Sequence, residues 1–279
     1  MHYTAMHGAG NSFVLIENRN GELRGTNPEE LAVLLCSGNA GFKADGMIVI
    51  TPAEEQLADF GMMFYNSNGS VGEMCGNGAR CIARYGVEHG LAKNPEEIRI
   101  AATAGLVLAK RITQELYEVR LNDPSVIDLH QPVPAFGTDY DCSYVELGDP
   151  GIPHAVVETA ESEIKNPDRL RELGRALRDS REFPKGANVT FACVTGEHTV
   201  RAITFERGVE DFTLACGTGC GATAITLLLR GRIPGNPVEI EMPGGHLSVC
   251  VKTDDSGVHD VLLRGPTAVT GEGETEWNI

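Results

Sequence analysis

One short pattern constrains this chain more than any other. Cys75-Gly76-Asn77-Gly78, followed by an apolar run, returns as Cys216-Gly217-Thr218-Gly219 followed by another. Each Cys stands where a helix is expected to begin. After the first, Ala79, Cys81, Ile82, Ala83 and Tyr85 recur at helical period up to Gly90; after the second, Ala222, Ala224, Ile225 and Leu227 to Leu229 do so up to Gly231. A loop-plus-helix unit that occurs twice in 279 residues predicts two domains of about 140 residues, each able to bury a core.

Glycines just inside a helix start let another molecule approach the unsatisfied backbone N–H groups, which with the helix dipole attract an anion such as a carboxylate. The same field lowers a thiol's pKa, so a Cys placed there is expected to be partly thiolate near neutral pH, able to act as nucleophile or base. Taken singly, C-G-x-G is as readily a tight turn around a buried Cys. Its repetition with matching helices points instead to two thiols serving one small acid.

The formal net charge of −16, with no basic stripe to offset it, argues against nucleic acid or an anionic membrane as partner. An anionic substrate therefore needs a local positive site. No apolar run of about 18 residues and no basic-then-apolar start are present, which predicts a soluble cytoplasmic protein. In a reducing compartment its eight Cys are expected as thiols. The spacings Cys75-x5-Cys81 and Cys216-x3-Cys220 fit no common zinc pattern, so no metal is expected.

In chain order, His7-Gly8-Ala9-Gly10-Asn11-Ser12-Phe13 reads as a Gly-rich loop beside a strand at Val14 to Ile16, and Asn27-Pro28-Glu29-Glu30 as a capped helix start. Strands are expected at Met47 to Ile50, Phe60 to Tyr65, Ile98 to Ala101, Leu106 to Ala109 and Tyr117 to Leu121. The turn-rich Asn66 to Ser70 delivers the chain to Cys75. From Asn122 to Asp141 the chain is rich in Pro, Asp and Gly with little periodicity, which marks a crossing between units.

After it come strands at Tyr144 to Leu147 and Ala155 to Val157, a helix from Pro167 to Leu177, and strands at Val189 to Val194, Val200 to Phe205, Val238 to Met242, Leu247 to Val251 and Val261 to Leu263. Short strands around one or two helices per half define an α+β fold. The expected division is a first domain over 1–121 carrying Cys75 and a second over 122–264 carrying Cys216, with 265–279 available to pack back on the first.

Four further places could complete a site. Glu206-Arg207 ends a strand ten residues before the second Cys; a carboxylate can pair with a thiol or an amine, and Arg can fork a carboxylate, although an exposed pair is equally an ion pair. His154, after Gly151-Ile152-Pro153, is expected at a strand start facing a cleft, although a lone His is often structural. Asn11 and Asn188 could each present an amide to a ligand or serve a turn.

Over nearly its whole length the chain resembles the diaminopimelate epimerases, cofactor-independent amino-acid racemases. The resemblance is carried by H-G-A-G-N-S-F at His7 to Phe13, N-S-N-G-S at Asn66 to Ser70, M-C-G-N-G-A-R-C at Met74 to Cys81, and P-H at Pro153-His154. Further matches are F-P-x-x-A-N ending at Asn188, E-R-G at Glu206 to Gly208, A-C-G-T-G at Ala215 to Gly219 and M-P-G-G at Met242 to Gly245.

The resemblance implies two pseudo-symmetric lobes, each with strands wrapped around a central helix, and a homodimer. It implies that Cys75 and Cys216 are the acid/base pair on opposite faces of a substrate α-carbon, tuned by His154 and Glu206 respectively. Gly76, Asn77, Gly217 and Thr218 would hold the reacting carboxylate, and Asn11, Asn66, Asn188, Glu206 and Arg207 the rest of an LL- or meso-diaminopimelate. Departures from the family pattern are Ser12 and Asn68 in place of Asp, Gly46 in place of Gln, Phe212 in place of Glu, and Ile152 in place of Asn. They leave a racemase of another amino acid, such as histidine, as the alternative. A thiol redox or non-catalytic binding role is the reading from another class.

Overall fold

The structure, a computed structural model, describes residues 1–38, 43–54, 56–72 and 75–274; Met74 of the first Cys motif and the last residues of the C-terminal tail lie outside the described residues. The chain divides into two compact units, Met1–Val119 with Gly265–Ile279, and Arg120–Arg264.

The first unit runs β1 (His2–Gly8), β2 (Asn11–Glu17), α1 (Pro28–Cys36), β3 (Gly46–Thr51), β4 (Phe60–Asn66), β5 (Val71–Gly72), α2 (Gly76–Glu88), β6 (Ile98–Ala102), β7 (Gly105–Arg111) and β8 (Leu116–Arg120). The second runs β9 (Pro124–Ala135), β10 (Thr138–Gly148), β11 (Gly151–Glu158), α3 (Glu161–Lys165), α4 (Asp168–Arg178), β12 (Asn188–Val194), β13 (Thr199–Glu206), β14 (Asp211–Phe212), α5 (Gly217–Leu229), β15 (Val238–Met242), β16 (Gly245–Asp254) and β17 (Gly257–Pro266). The chain then returns to the first unit as β18 (Ala268–Glu274), antiparallel to β1.

Both units use one strand ladder. In the first, β18–β1–β2–β3–β4–β6–β7–β8 are neighbours in that order, antiparallel except β2–β3 and β4–β6. In the second, β9–β10–β11–β12–β13–β15–β16–β17 repeat it, antiparallel except β11–β12 and β13–β15. A parallel pair needs a crossover, and helices supply it: α1 and α2 in the first unit, the α3–α4 pair and α5 in the second. The two-residue strands β5 and β14 add to β4 and β13 just before each Cys.

The helix after each Cys is the centre of its unit. Residues Gly76 to Gly86 of α2 are all buried, against β1, β2 and β7; in α5, Cys220 to Leu227 are buried against β10, β11, β12 and β16. The apolar period seen in α2 covers only part of its surface, and the remainder is closed by buried arginines. Arg80 is fully buried and donates to the Asn77 side chain (2.7 Å) and the Gly76 carbonyl (3.2 Å); Arg84 pairs with Glu88 and donates to the Thr267 carbonyl (2.8 Å). Close approach of β1 to α2 depends on Gly8, where a Cβ would lie 2.8 Å from the Asn77 carbonyl oxygen.

Several expectations change. The Gly-rich start is not a loop beside a strand but a hairpin, β1–β2, turned through Ala9 and Gly10, both at positive φ (50° and 87°). Asn122 to Asp141 is not an irregular crossing but the twelve-residue β9 and the start of β10, joined by a second positive-φ pair, Phe136 and Gly137. Half of β9 is exposed; Ile127, Leu129, Val133 and Ala135 alternate on its inner face, but Gln131 interrupts them and only Val133 and Ala135 reach the core. The helix expected over Pro167 to Leu177 is α4, burying Leu170, Leu173 and Leu177. No helix among the described residues is long and apolar enough to cross a membrane.

Candidate active site

Each repeated Cys is the N-cap of its helix. Cys75 (φ −129°) and Cys216 (φ −116°) are extended, and their carbonyls accept the first helical bonds from Ala79 (2.7 Å) and Cys220 (2.9 Å). The residues that follow, Gly76-Asn77-Gly78 and Gly217-Thr218-Gly219, therefore form a first helical turn with its N–H groups directed outward along the axis. Cys75 is partly exposed and Cys216 buried. Of the second cysteines in each motif, Cys81 is fully buried and its thiol is pushed up to about 12, which makes it a packing group.

In the second unit four elements meet around Cys216. Glu206 is the last residue of β13; its carboxylate accepts from the Thr213 hydroxyl (2.5 Å) and from the Cys216 thiol. Burial raises the Glu206 pKa, against the lowering effect of those two bonds. The Cys216 thiol is pushed well above its ordinary value, first by burial and then by the Glu206 charge, while the Gly219 N–H and the Thr218 hydroxyl (3.7 Å from Sγ) work the other way. The expected helix-start thiolate is thus corrected here: at a buried N-cap, desolvation of the anion outweighs the helix terminus. Cys216 rests as a thiol that donates to a carboxylate.

His154 and Asn188 lie at the first pair of the parallel β11–β12 ladder. His154 is not at a strand start but is the fourth residue of β11, fully buried, and both ring nitrogens lack hydrogen-bond partners among the described residues. Burial, with the Arg207 charge, lowers its pKa to about 3, so the ring is neutral. Asn188 is 7% exposed and its Oδ1 accepts from the Arg207 backbone N–H (2.8 Å). The Arg207 guanidinium donates to the Lys185 carbonyl (2.7 Å), with no ion pair recorded for it among the described residues. The second unit therefore gathers His154 in the middle of β11, Asn188 at the start of β12, Glu206 and Arg207 at the end of β13, and Cys216, Gly217 and Thr218 at the start of α5.

The first unit gathers a different set at its helix start. Asn77 donates to Asn11 Oδ1 (2.7 Å) and accepts from Arg80, so its side chain braces the turn below Cys75. Asn66 ends β4 and donates to the Ser70 hydroxyl (2.9 Å) across the turn; Asn68 accepts from the Ser70 N–H (3.0 Å) and hydroxyl (2.7 Å), as an Asp there would. Ser12 donates to Asp45 through its N–H and hydroxyl. Gly46 has no room for any side chain, since a Cβ would lie 2.5 Å from the Phe64 ring. Phe212 turns into the core, edge-on to Phe205 and Phe191 and beneath the Arg171 guanidinium (5.5 Å). Ile152 pairs with Leu147 across the β10–β11 hairpin.

Three groups went unnoticed in the sequence: Thr213, Arg80, and the buried hydroxyl pair Thr190–Thr204 (2.9 Å), both within about 3 Å of where a Cβ on Gly219 would stand. A Thr three residues before a Cys carries no signal of its own. A helix Arg reads as solvent-facing until the fold buries it.

This fold is that of a group of solved enzymes and enzyme-like proteins. It matches the crystal structure of the Bacillus anthracis phenazine biosynthesis protein of the PhzF family with a TM-score of 0.73 at 14% identity, covering 99% of each chain. It also matches a hydroxyproline epimerase from Agrobacterium vitis at 0.70 and 18%, over 98% of this chain and 91% of that one. The family is given by sequence: the diaminopimelate epimerase family profile matches residues 3–125 and 148–267. Among its relatives, the diaminopimelate epimerase of Aquifex aeolicus is 35% identical over 98% of this chain and 97% of its own length. That of Archaeoglobus fulgidus is 34% identical over 94% and 96%. The chain belongs to the diaminopimelate epimerase family.

Proposed function

We propose that this protein interconverts LL- and meso-2,6-diaminopimelate by proton transfer at the α-carbon between two cysteines, without a cofactor, in the synthesis of lysine and peptidoglycan precursors. The observation that carries the reading is the Cys216 thiol bonded to Glu206 at the start of α5, in a chain of this family. One thiolate removes the α-proton while the other thiol delivers a proton to the opposite face, and the roles exchange with direction. Cys216, protonated at rest, is the donor in one direction; in the other, Glu206 receives its proton before it acts as base. The first turns of α2 and α5, through Gly76, Asn77, Gly217 and Thr218, face the reacting carboxylate and stabilise the charge that grows on it as the α-proton leaves.

His154 tunes Cys75, and Asn11, Asn66, Asn188 and Arg207 select the distal end. Arg207, whose guanidinium is directed by a carbonyl, is the natural partner of the second carboxylate. We further propose that 1–121 with 265–279, and 122–264, serve as two lobes that each contribute one cysteine, and that the enzyme works in the cytoplasm as a homodimer on this small amino acid. A racemase acting on another amino acid, such as histidine, is the second reading; with Phe212 packed in the core and Gly46 seating Phe64, it rests on Ile152.

The deciding test is incubation with LL-diaminopimelate in deuterated water. Deuterium at the α-carbon together with meso product supports substrate and mechanism at once. Exchange confined to another amino acid in a panel of L-isomers shifts the assignment to the alternative, and no exchange with any of them sinks the reading.

A further inference from the structure

Glu146 is a buried carboxylate on β10 that the proposed chemistry does not use. It accepts from the Tyr144 hydroxyl at 2.6 Å and from the Lys185 ammonium at 2.8 Å. Burying the carboxylate costs desolvation that one bond to a mostly exposed ammonium only partly offsets, so stability alone gives little reason for the pair. The space for it is maintained: a Cβ at Gly151 would stand 2.6 Å from Glu146 Cβ and 2.8 Å from its Oε2.

Its partner leads to the site. Lys185 lies in the turn Phe183–Ala187, closed by a bond from the Gly186 N–H to the Phe183 carbonyl (2.7 Å). One end of that turn is fixed by Phe183 stacked on Tyr144 (5.1 Å between centroids), and its middle by the Lys185–Glu146 pair. The carbonyl of the same Lys185 receives the Arg207 guanidinium at 2.7 Å. Gly186, at φ 66°, supplies the left-handed backbone with which the turn passes beside Arg207. Tyr144, Glu146, Lys185 and Arg207 thus form one continuous chain of contacts within the second unit.

We infer that Glu146 is a positioning residue for substrate selection: through Lys185 it fixes the Phe183–Ala187 turn whose carbonyl aims Arg207 at the distal carboxylate of a dicarboxylic amino acid. The inference rests on the reading of Arg207 given above. It places the determinant of dicarboxylate preference partly in a hairpin that touches no substrate.

The test compares Glu146→Gln, Lys185→Met and Arg207→Ala, and the double variant Glu146→Gln/Arg207→Ala, by KM and kcat for LL-diaminopimelate. Lys185 is mostly exposed, so its variant folds even where a change at the buried Glu146 does not. Loss of one aiming contact is expected to raise KM about fivefold in each of the first two variants with kcat changed less than about twofold. In the Arg207→Ala background, Glu146→Gln is expected to add nothing further. A raised KM in Arg207→Ala with unchanged KM in both Glu146→Gln and Lys185→Met overturns the inference and leaves the reading of Arg207 standing, as does an additive double variant. An unchanged KM in Arg207→Ala overturns the reading of Arg207 and the inference with it. A fall in kcat without a rise in KM marks Glu146 as merely structural.

Discussion

The two units follow one ladder and fill it with different chemistry. At the first pair of the parallel ladder the first unit carries Phe13 and Gly46 where the second carries His154 and Asn188. At the end of the next strand it has Asn66 where the second has Glu206. Around α2 the polar atoms are two buried arginines and an Asn–Asn bond; around α5 they are threonines and one carboxylate. A duplicated backbone therefore supplies two equivalent helix starts, and the side chains at the strand ends give each Cys a different setting. The lesson is that equal geometry does not make equal acids and bases: Cys216 sits buried against a carboxylate, while Cys75 is partly exposed above a neutral amide brace.

The sharpest way to break that comparison is to remove each thiol. Cys75→Ser and Cys216→Ser are each expected to lower kcat for epimerisation about a thousandfold, since both protons must move in one turnover. A variant that keeps wild-type turnover would mean that its Cys is not part of the pair. Next in size, Glu206→Gln is expected to lower kcat about a hundredfold. It should also alter the pH dependence of Cys216 alkylation by iodoacetamide without altering that of Cys75, which mass spectrometry of the two peptides would read; an equal effect on both would erase the proposed asymmetry.

His154 supplies a stability difference confined to the second unit. Its folded pKa is depressed from 6.5 to about 3, so below pH 6.5 the unfolded chain binds the extra proton and the folded state does not. Stability from this group is therefore full above pH 6.5 and lost as pH falls toward 3, by about 2 kcal/mol between pH 6.5 and 5. Urea unfolding across that range should show this slope, and His154→Phe should flatten it; an unchanged slope would mean the ring is not held neutral. The smallest effect belongs to the first unit: Asn77→Ala leaves buried Arg80 short of an acceptor and should cost about 1.5 kcal/mol in urea unfolding.

Much of the site was legible because it is carried by short local signals. The two C-G-x-G helix starts, the Asn27 cap and the turn at Asn66 to Ser70 depend on neighbours in sequence, and the structure places each as a helix N-cap or a turn. What could not be read depends on distant partners. In β9 the alternation of Ile127, Leu129, Val133 and Ala135 is broken by Gln131 and set among prolines, and its pairing with β10 declares it a strand. Arg80 went unnoticed, Phe212 looked like a site position, and Gly46 looked like a lost side chain rather than a seat for Phe64.

The sequence by itself determined that two cysteines open two matching helices, that Glu206 and Arg207 stand together before the second, and that the chain resembles the diaminopimelate epimerases, because backbone propensity and motif spacing are properties of adjacent residues. Only the tertiary structure decided the state of those groups. Burial set Cys216 and Glu206 above their ordinary values and His154 far below, since the free energy of a charge depends on how much water the whole fold removes around it.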